Sequence, residues 1–392
     1  MADGPGRVAW YVAPTYRQAR DDCWRTLRRL IAPVVARANE SDLSVELING
    51  GRIALRSADN YDALRGAGLD GVVLDEFADI DPEAWEAAIR PALSDRRGRA
   101  LFIGTPRGRN HFWRLYMRAR GGEMGWAAWQ YTTLEGGIVP AEEIEAARAE
   151  LDERTFRQEY EASFESLADG LAYWAFGDEN LGEPEYDPAK PLLWALDFNV
   201  DPMCSVIAQR AGDGLAVLQE IVLPNSSVPE ACEVFIARAE RYWQIYRARY
   251  GPTAGKLHVI VYGDAAGGAR SFAGVSAWQL VRQAAAMVGD RYAFEFRVER
   301  SNPAVVDRVN AVNALLRNAA GQRRLVVHRA CRELIADMRE VEWKRDSAGV
   351  RVAQLDKSDP RRTHVSDALG YLVWREFGLR QQGGPRTTYL GV

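Results

Sequence analysis

The chain has 392 residues, with 50 Lys and Arg against 54 Asp and Glu and a formal net charge of −4. This length, with a hydrophobic content of 47%, indicates two globular domains of ordinary size, each with its own core. The sequence has no run of 18 apolar residues and no signal-peptide pattern, so a membrane span is not expected. Its four cysteines are far apart and form no Cys-x-x-Cys pair, which argues against a zinc site.

The cations are distributed unevenly along the chain. Only four of them are lysines, at positions 190, 256, 344 and 357, so residues 1–189 contain none. From residue 291 to the end, 19 Lys and Arg face 12 Asp and Glu. A basic C-terminal third is typical of a protein with a polyanionic partner, although a solvated, Arg-rich surface explains the same count.

Short apolar strands alternate with helices in the first third of the chain. The patterns predict strands at 8–13, 71–74 and 100–103, a hairpin at 44–57 with its turn at 49–51, and helices at 15–30 and 82–93. This order predicts a parallel sheet with helices on both faces. We expect an acidic helical stretch, 140–164, to close the first domain and the segment 166–190, rich in Gly, Pro and acids, to be a linker.

The second half begins with a different pattern. Three predicted strands, 192–198, 203–210 and 215–223, are joined by short turns as in an antiparallel meander. Helices and strands then alternate, with helices at 228–248, 276–288, 304–319 and 365–377 and strands at 257–262, 293–298 and 324–327. This order is typical of a ribonuclease-H-like sheet, and we expect the tail, 378–392, to be mobile.

Two acids end the apolar strand at 71–74. In nucleotide hydrolases, one carboxylate at such a strand end stands beside the Mg²⁺ shell and the next beside the attacking water, which are the roles expected of Asp75 and Glu76. Thr105 ends the next apolar strand, where a hydroxyl could sense a γ-phosphate. Arg65, in a glycine-flanked loop, could reach a phosphate across a subunit boundary. Each of these residues also has an explanation that needs no nucleotide site: the two acids can be solvated, the threonine can belong to a turn, and the arginine can lie exposed in its loop.

A phosphate-binding loop is missing from this half. ATP hydrolysis on such a sheet needs a glycine-rich loop that ends in Lys and Ser or Thr, and residues 1–189 contain no lysine. We therefore expect a sheet that is incomplete at its N-terminus, through a start site downstream of the true one or a deletion. We also expect little or no ATPase activity.

Three acids of the second half are placed where one site can collect them. Asp197 lies on the first strand of the meander, Asp264 ends the fourth strand, and Asp367 lies in the final helix. In a ribonuclease-H-like sheet the first and fourth strands are adjacent and the last helix packs across them. Clustered carboxylates of this kind bind two Mg²⁺ or Mn²⁺ ions for phosphodiester hydrolysis. Glu220, on the third strand, is either a fourth ligand or an outward-facing acid.

Basic residues around the final helix are candidate DNA contacts. His364 lies one turn before Asp367, where it could contact substrate or a metal-bound water, although a lone histidine is more often structural. Lys357, Arg361 and Arg362 precede the helix and are candidates for contacts with DNA phosphates, or are solvated loop cations.

Taken together, the motifs resemble the large terminase subunit of tailed bacteriophages over residues 8–377. The resemblance rests on VAPTYRQA (12–19), LRG (64–66), VVLDEFA (72–78), GTPRG (104–108), FRQEYEASF (156–164), LDFNVDP (196–202), GDAAG (263–267) and THVSDALGY (363–371). It implies an α/β chain with an incomplete P-loop-type (ASCE) ATPase sheet over 1–165, a linker over 166–190 and a ribonuclease-H-like nuclease domain over 191–377.

The function implied by the resemblance is that of a DNA-packaging motor. Its ATPase would use ATP with Mg²⁺, if that domain is complete, to drive double-stranded DNA through the portal into a procapsid, and its nuclease would cut the concatemer. The implied partners are the portal protein, a small terminase subunit and further copies in a ring, in the host bacterial cytoplasm and not in the mature virion. Two alternatives stay open: a stand-alone ribonuclease-H-like endonuclease such as a junction resolvase, and a degenerate, non-catalytic prophage DNA-binding protein.

Overall fold

The computed structural model describes residues 5–164, 170–199, 201–251, 253, 255–268, 274–345 and 351–378. Within these ranges the chain divides into two compact units, the first of residues 5–136 and 157–164 and the second of residues 137–156 and 170–378. Apart from Gly378, the predicted tail 378–392 lies outside the described residues. None of the described helices is both long and apolar enough to cross a membrane.

Six strands form the sheet of the first unit: β1 (Val8–Ala13), β2 (Val35–Asn39), β3 (Ser44–Leu47), β4 (Arg52–Ser57), β5 (Gly71–Leu74) and β6 (Arg99–Phe102). Their order is β2-β3-β4-β1-β5-β6. The neighbouring strands β4, β1, β5 and β6 pair in parallel, and the β3–β4 hairpin is antiparallel. The predicted parallel sheet and hairpin are confirmed, whereas β2 was not predicted.

The helices of the first unit are short. They are α1 (Tyr16–Gln18), α2 (Arg25–Ile31), α3 (Arg90–Ser94), α4 (His111–Arg120) and α5 (Thr133–Gly136), with π-helical segments at Ala19–Trp24 and Ala84–Ile89 and 3₁₀ turns at Ala32–Val34, Tyr61–Leu64 and Phe77–Asp79. The Thr15 hydroxyl accepts a hydrogen bond from the Gln18 backbone N–H at 3.3 Å, so Thr15 is the N-cap that the sequence predicts.

One edge of this sheet is open in the part of the chain that the structure describes. There, β6 pairs only with β5. The side chains of Leu101 and Ile103 are exposed along it, and a groove of about 1220 Å³ runs beside the strand. An edge strand of this kind presents backbone N–H and C=O groups that no neighbouring strand pairs.

The second unit contains a seven-stranded mixed sheet. Helix α6 (Ala141–Glu150) belongs to this unit, and α7 (Glu153–Tyr160) is divided between the two units after residue 156. The strands are β7 (Leu181–Gly182), β8 (Leu192–Asp197), β9 (Met203–Ala211), β10 (Gly214–Leu223), β11 (Leu257–Gly263), β12 (Tyr292–Phe296) and β13 (Leu325–His328). The strand order is β12-β11-β8-β9-β10-β13-β7. The antiparallel meander β8–β9–β10 is confirmed, and β11 pairs in parallel with β8 as predicted.

Five helices and a small hairpin complete the second unit: α8 (Val228–Tyr250), α9 (Ala277–Met287), α10 (Val305–Leu316), α11 (Arg332–Glu340), α12 (His364–Phe377), β14 (Trp343–Arg345) and β15 (Arg351–Leu355), with 3₁₀ turns at Asp178–Asn180 and Ala265–Gly268. The sequence did not predict α11 or the β14–β15 hairpin. A capping box starts α8, because the Ser227 hydroxyl accepts from the Glu230 N–H and the Glu230 carboxylate accepts from the Ser227 N–H.

Strand β8 lies at the centre of the second unit and is buried along its whole length. Its side chains alternate between two hydrophobic clusters, one on each face of the sheet. Leu193 and Ala195 pack in the cluster that contains residues of α10 and α12. Leu192, Trp194 and Leu196 pack in the cluster that contains residues of α8 and α9. Packing on both faces of the sheet therefore holds in place the carboxyl end of β8, where Asp197 lies.

The division into units differs from the predicted domain boundary. Tyr173, in the predicted linker, is fully buried in the core of the second unit, and the linker residues Leu181–Gly182 pair with β13. Helix α6 also belongs to the second unit, where the Leu151 carbonyl accepts from the Ala319 N–H at 2.8 Å. Burial of a few aromatic and aliphatic side chains outweighs the Gly-, Pro- and acid-rich composition on which the linker prediction rested.

Candidate functional site

Two acids lie at the carboxyl ends of neighbouring parallel strands. Asp197 is the last residue of β8, and Asp264 directly follows β11. The register aligns Gly263 with Leu196, and the Asp264 N–H donates to the Leu196 carbonyl at 3.2 Å. Both side chains therefore start from the same edge of the sheet, as the sequence predicts.

The backbone at Gly263 allows this close approach. Its φ is +154°, and a Cβ on this residue would lie 2.3 Å from the Leu196 carbonyl oxygen. After the strand, Asp264 Oδ1 accepts hydrogen bonds from Asn302 Nδ2 and from the Ala266 N–H, both at 2.7 Å. The Asp264 carboxylate is therefore held in a defined orientation by a turn and by one amide side chain.

Helix α12 adds the third acid. His364, in its first turn, is hydrogen bonded through Nδ1 to Asp197 Oδ2 at 3.0 Å and lies 3.0 Å, through Nε2, from Asn199 Nδ2. Asp367 lies one turn further on and is 3% exposed. Burial is the largest cause that raises the pKa of Asp367, and the negative charge of Asp197 raises it further. The three predicted acids thus come from β8, β11 and α12 to one region.

Two cations with different surroundings face Asp367. Arg308, on α10, places Nη2 2.5 Å from Asp367 Oδ1, and its side chain is 6% exposed. Lys357 places Nζ 3.4 Å from Asp367 Oδ2, and its side chain is 59% exposed. The charge of Arg308 opposes the effect of burial on the pKa of Asp367. Arg308 was not predicted, although an arginine inside the apolar stretch VVDRVNAVNALL was a signal that could have found it.

Glu220 has a structural contact. Its carboxylate oxygens accept from the backbone N–H groups of Glu333 at 3.1 Å and Leu334 at 2.8 Å, at the start of α11. A carboxylate at this position stabilises the free N–H groups of a helix N-terminus. The fourth-ligand prediction for Glu220 therefore gains no support from its contacts.

Arg362, a predicted DNA contact, is held by ion pairs within the second unit. Its side chain is 13% exposed and forms ion pairs with Glu333 at 2.7 Å and Asp337 at 3.2 Å. Two acids of α11, a helix that the sequence did not predict, thus hold the guanidinium, and the DNA contact by Arg362 stays a prediction. Arg361, by contrast, is 75% exposed and pairs with Asp359 at 2.8 Å.

The predicted nucleotide site lies in the first unit. The Tyr11 hydroxyl donates to Asp75, and the Glu76 N–H donates to Asp75 Oδ1 at 3.1 Å. Glu76 has a φ of +48°, in the left-handed region that non-glycine residues seldom adopt. Such strain is often found at functional sites.

Glu76 and Thr105, the predicted base and the predicted γ-phosphate sensor, are in contact. Burial is the largest cause that raises the pKa of Glu76, the charge of Asp75 adds to it, and a hydrogen bond from the Thr105 backbone opposes it. Arg65 is exposed in its loop and pairs with Asp62 at 3.0 Å. The structure therefore groups Asp75, Glu76 and Thr105 and leaves the role of Arg65 a prediction.

Family models match both units. The model of the terminase RNaseH-like domain matches residues 185–375. The model of the N-terminal part of terminase large subunits of the T4likevirus type matches residues 2–181. The chain belongs to the terminase large-subunit family.

Relatives of this terminase chain agree with that assignment. The terminase large subunit of Escherichia phage T5 is 34% identical over 171 residues, which are 42% of this chain and 39% of that protein. The terminase large subunit of Thermus virus P23-45 is 36% identical over 142 residues, 31% of this chain and 28% of that protein. The matched region thus spans about two-fifths or less of these relatives.

A solved structure shares the fold of the terminase chain. The large terminase from a thermophilic bacteriophage, in complex with ADP, aligns with a TM-score of 0.56 over 95% of this chain and 87% of that one, at 15% identity. The predicted fold class, an ATPase-type sheet with a ribonuclease-H-like domain, is confirmed.

The acids of the terminase site fit a hard divalent cation by their chemistry. Carboxylate oxygens are the ligands that Mg²⁺ and Mn²⁺ prefer, and Asp197 and Asp264 supply them from adjacent strand ends. Among the described residues, no group of three or more His, Cys, Asp or Glu is arranged to hold a metal ion. Each carboxylate instead has another partner, so an ion at this place would compete with His364 for Asp197 and with Lys357 for Asp367.

Asp337 makes the stability of the terminase chain depend on pH. It is fully buried, and burial raises its pKa to about 6 despite its contact with Arg362. Because the pKa of an unfolded aspartate is about 3.9, the folded chain holds this proton more tightly, and its stability falls as pH rises from about 4 to 6. We expect the unfolding free energy, relative to Asp337→Asn, to fall by about 3 kcal/mol over this range and then stay level. Urea unfolding of both chains checks this; a pH-independent difference would contradict it.

Proposed function

We propose that the second unit is a metal-dependent endonuclease that cuts double-stranded DNA. The observation that carries the proposal is the arrival of Asp197, Asp264 and Asp367 from β8, β11 and α12 at one region of a terminase RNaseH-like domain. In this proposal the three carboxylates would hold two Mg²⁺ or Mn²⁺ ions. Carboxylate oxygens supplied by separate elements are suitable ligands for such ions, which would replace the present partners of Asp197 and Asp367.

The chain's own residues would position the reaction. Divalent ions bound there would polarise the scissile phosphate and supply an activated water. Asp197 and Asp264 would bind the ions at the strand ends, and Asn302 would keep the Asp264 carboxylate oriented. His364, fixed by Asp197 and Asn199, would face the substrate, and Arg361, 75% exposed, would contact a DNA phosphate.

We further propose that the first unit derives from the motor ATPase of a packaging terminase. Asp75 and Glu76 would take the metal and base roles at the end of β5, Thr105 the coupling role, and Arg65 that of a finger toward a neighbouring copy. The geometry of the first three supports this. Residues 1–189 contain no lysine that could hold the phosphates of ATP, so the proposal for this unit does not extend to ATP hydrolysis.

The partners follow from the packaging role. They are double-stranded DNA, the portal protein of a procapsid, a small terminase subunit and further copies in a ring, in the host cytoplasm. A stand-alone junction resolvase and a degenerate DNA-binding protein are less well supported, because terminase models match both halves of the chain.

Removal of metal tests the nuclease proposal. We expect the purified chain to nick and linearise supercoiled plasmid in Mg²⁺ or Mn²⁺, to stop in excess EDTA and to recover when the ion is restored. An identically purified Asp197→Asn chain controls for contaminating nuclease. Cleavage that persists in EDTA, or that the control shows equally, would contradict the proposal.

A further inference from the structure

Each oxygen of the Asp367 carboxylate contacts a cationic side chain, one of them buried and the other exposed. Oδ1 is bound by Arg308 from the interior at 2.5 Å, and Oδ2 is approached by Lys357 from the solvent side at 3.4 Å. Both cations are long side chains, but their freedom to move differs. That difference decides which oxygen remains available to a ligand from solution.

Arg308 is built into the fold. Its guanidinium lies 4.5 Å from the centre of the Tyr371 ring, and its stem runs so close to α12 that a Cβ on Gly370 would lie 2.8 Å from its Cγ and Cδ. A buried, stacked guanidinium of this kind cannot leave without exposing an unpaired charge inside the protein. Oδ1 of Asp367 is therefore permanently taken.

Lys357 has none of these constraints. It is 59% exposed, and it lies in the segment between β15 and α12. Its one ion pair among the described residues is the contact of 3.4 Å with Asp367, longer than a typical charged hydrogen bond. An ammonium group in this position loses little when it returns to water.

We propose that Lys357 is the resident counter-ion of the nuclease site, which occupies Asp367 Oδ2 in the metal-free protein and leaves when a divalent ion binds there. This inference rests on the proposed nuclease function. Lys357 and the ion compete for the same oxygen, and their charges repel each other, so both effects oppose metal binding.

The exchange also connects metal binding to DNA binding. Once displaced, the exposed ammonium group of Lys357 is free to pair with a DNA phosphate. Metal binding therefore makes a cation available to DNA, and by reciprocity DNA that holds Lys357 favours metal binding. In this proposal, Lys357 forms the phosphate contact that the sequence predicts after it has left Asp367.

Mn²⁺ titration of the whole chain tests the proposal. We expect Lys357→Met to bind Mn²⁺ about threefold to tenfold more tightly than the wild type, as measured from free Mn²⁺ by electron paramagnetic resonance. Lys344→Met, which removes an exposed lysine of β14, is the matched control and is expected to leave the affinity unchanged. A lysine that served only as a structural or phosphate contact would not tighten metal binding when removed.

The outcomes separate this inference from the function on which it rests. In an Asp367→Asn background the Lys357→Met effect is expected to vanish, because the shared oxygen has lost its charge. If the wild type binds Mn²⁺, and Asp264→Asn weakens that binding, the nuclease site stands. In that case unchanged or weaker binding by Lys357→Met overturns the counter-ion role alone. A wild type that binds no Mn²⁺ overturns both.

Discussion

Replacing Asp264 with asparagine is expected to lower the rate of plasmid cleavage by at least on the order of 10² to 10³, the loss that follows removal of one group that stabilises a transition state. The change is isosteric. Asparagine Oδ1 can still accept from the Asn302 amide and the Ala266 N–H, which bind Asp264 Oδ1 at 2.7 Å, so the turn after β11 keeps its hydrogen bonds. What is lost is the negative charge and, with it, the strength of a metal ligand.

The control is Asp213→Asn. Asp213 lies in the turn between β9 and β10 of the same unit, is 80% exposed and has only a distant partner, Arg324 at 3.9 Å. We expect this variant to cleave DNA like the wild type, since a pair of this kind contributes little. If Asp264→Asn keeps full activity while the control behaves as expected, the catalytic site lies elsewhere in the chain.

The positions of Asp197 and Asp264 could be predicted because local patterns determine them. Each acid follows a short, wholly apolar run, and such runs read as buried strands. The ribonuclease-H-like order of strands and helices then places the two strands side by side, which the β8–β11 pairing confirms. Strand ends in a parallel pair share an edge, so pattern and topology together were enough for the placement of these two acids.

The partners of Asp367 could not be predicted in the same way. Arg308 is 59 positions away in sequence, and only the packing of α10 against α12 brings its guanidinium to the acid. The ion pairs of Arg362 were not predicted for the same reason, because α11 supplies the acids that hold it. Ion pairs between distant elements leave no periodic trace in a sequence, whereas strands and amphipathic helices do.

The basic C-terminal third has a related explanation. Its excess of cations suggested a surface for a polyanion, but many of its arginines form ion pairs inside the second unit. Examples are Arg297 with Glu376, Arg308 with Asp367, Arg317 with Glu153, Arg362 with Glu333 and Arg375 with Glu299. A count along the chain therefore overstates the positive charge available to DNA, and exposed groups such as Arg361 matter more than the total.

Gly263→Ala is expected to lower cleavage by about 100-fold or more without removing any charged group, because misplacing a reacting group by about 1 Å has an effect of this size. An added Cβ would lie 2.3 Å from the Leu196 carbonyl oxygen, and φ at this position is +154°. Strands β8 and β11 must then separate between Asp197 and Asp264. The melting temperature should fall as well, since the register of two central strands is disturbed.

Gly268→Ala is the matched control for this experiment. Gly268 follows in the turn after β11, and a Cβ there meets nothing within 4 Å, so we expect near-normal cleavage and stability. Metal affinity distinguishes a displaced site from a merely unstable protein: Gly263→Ala should bind Mn²⁺ more weakly at a temperature where circular dichroism shows it folded. Unchanged affinity and cleavage in Gly263→Ala would mean that the close approach of β8 to β11 does not set the spacing of the two acids. Because the substitution adds only one methyl group, a loss of both would tie the chemistry of the site to the separation of two strands.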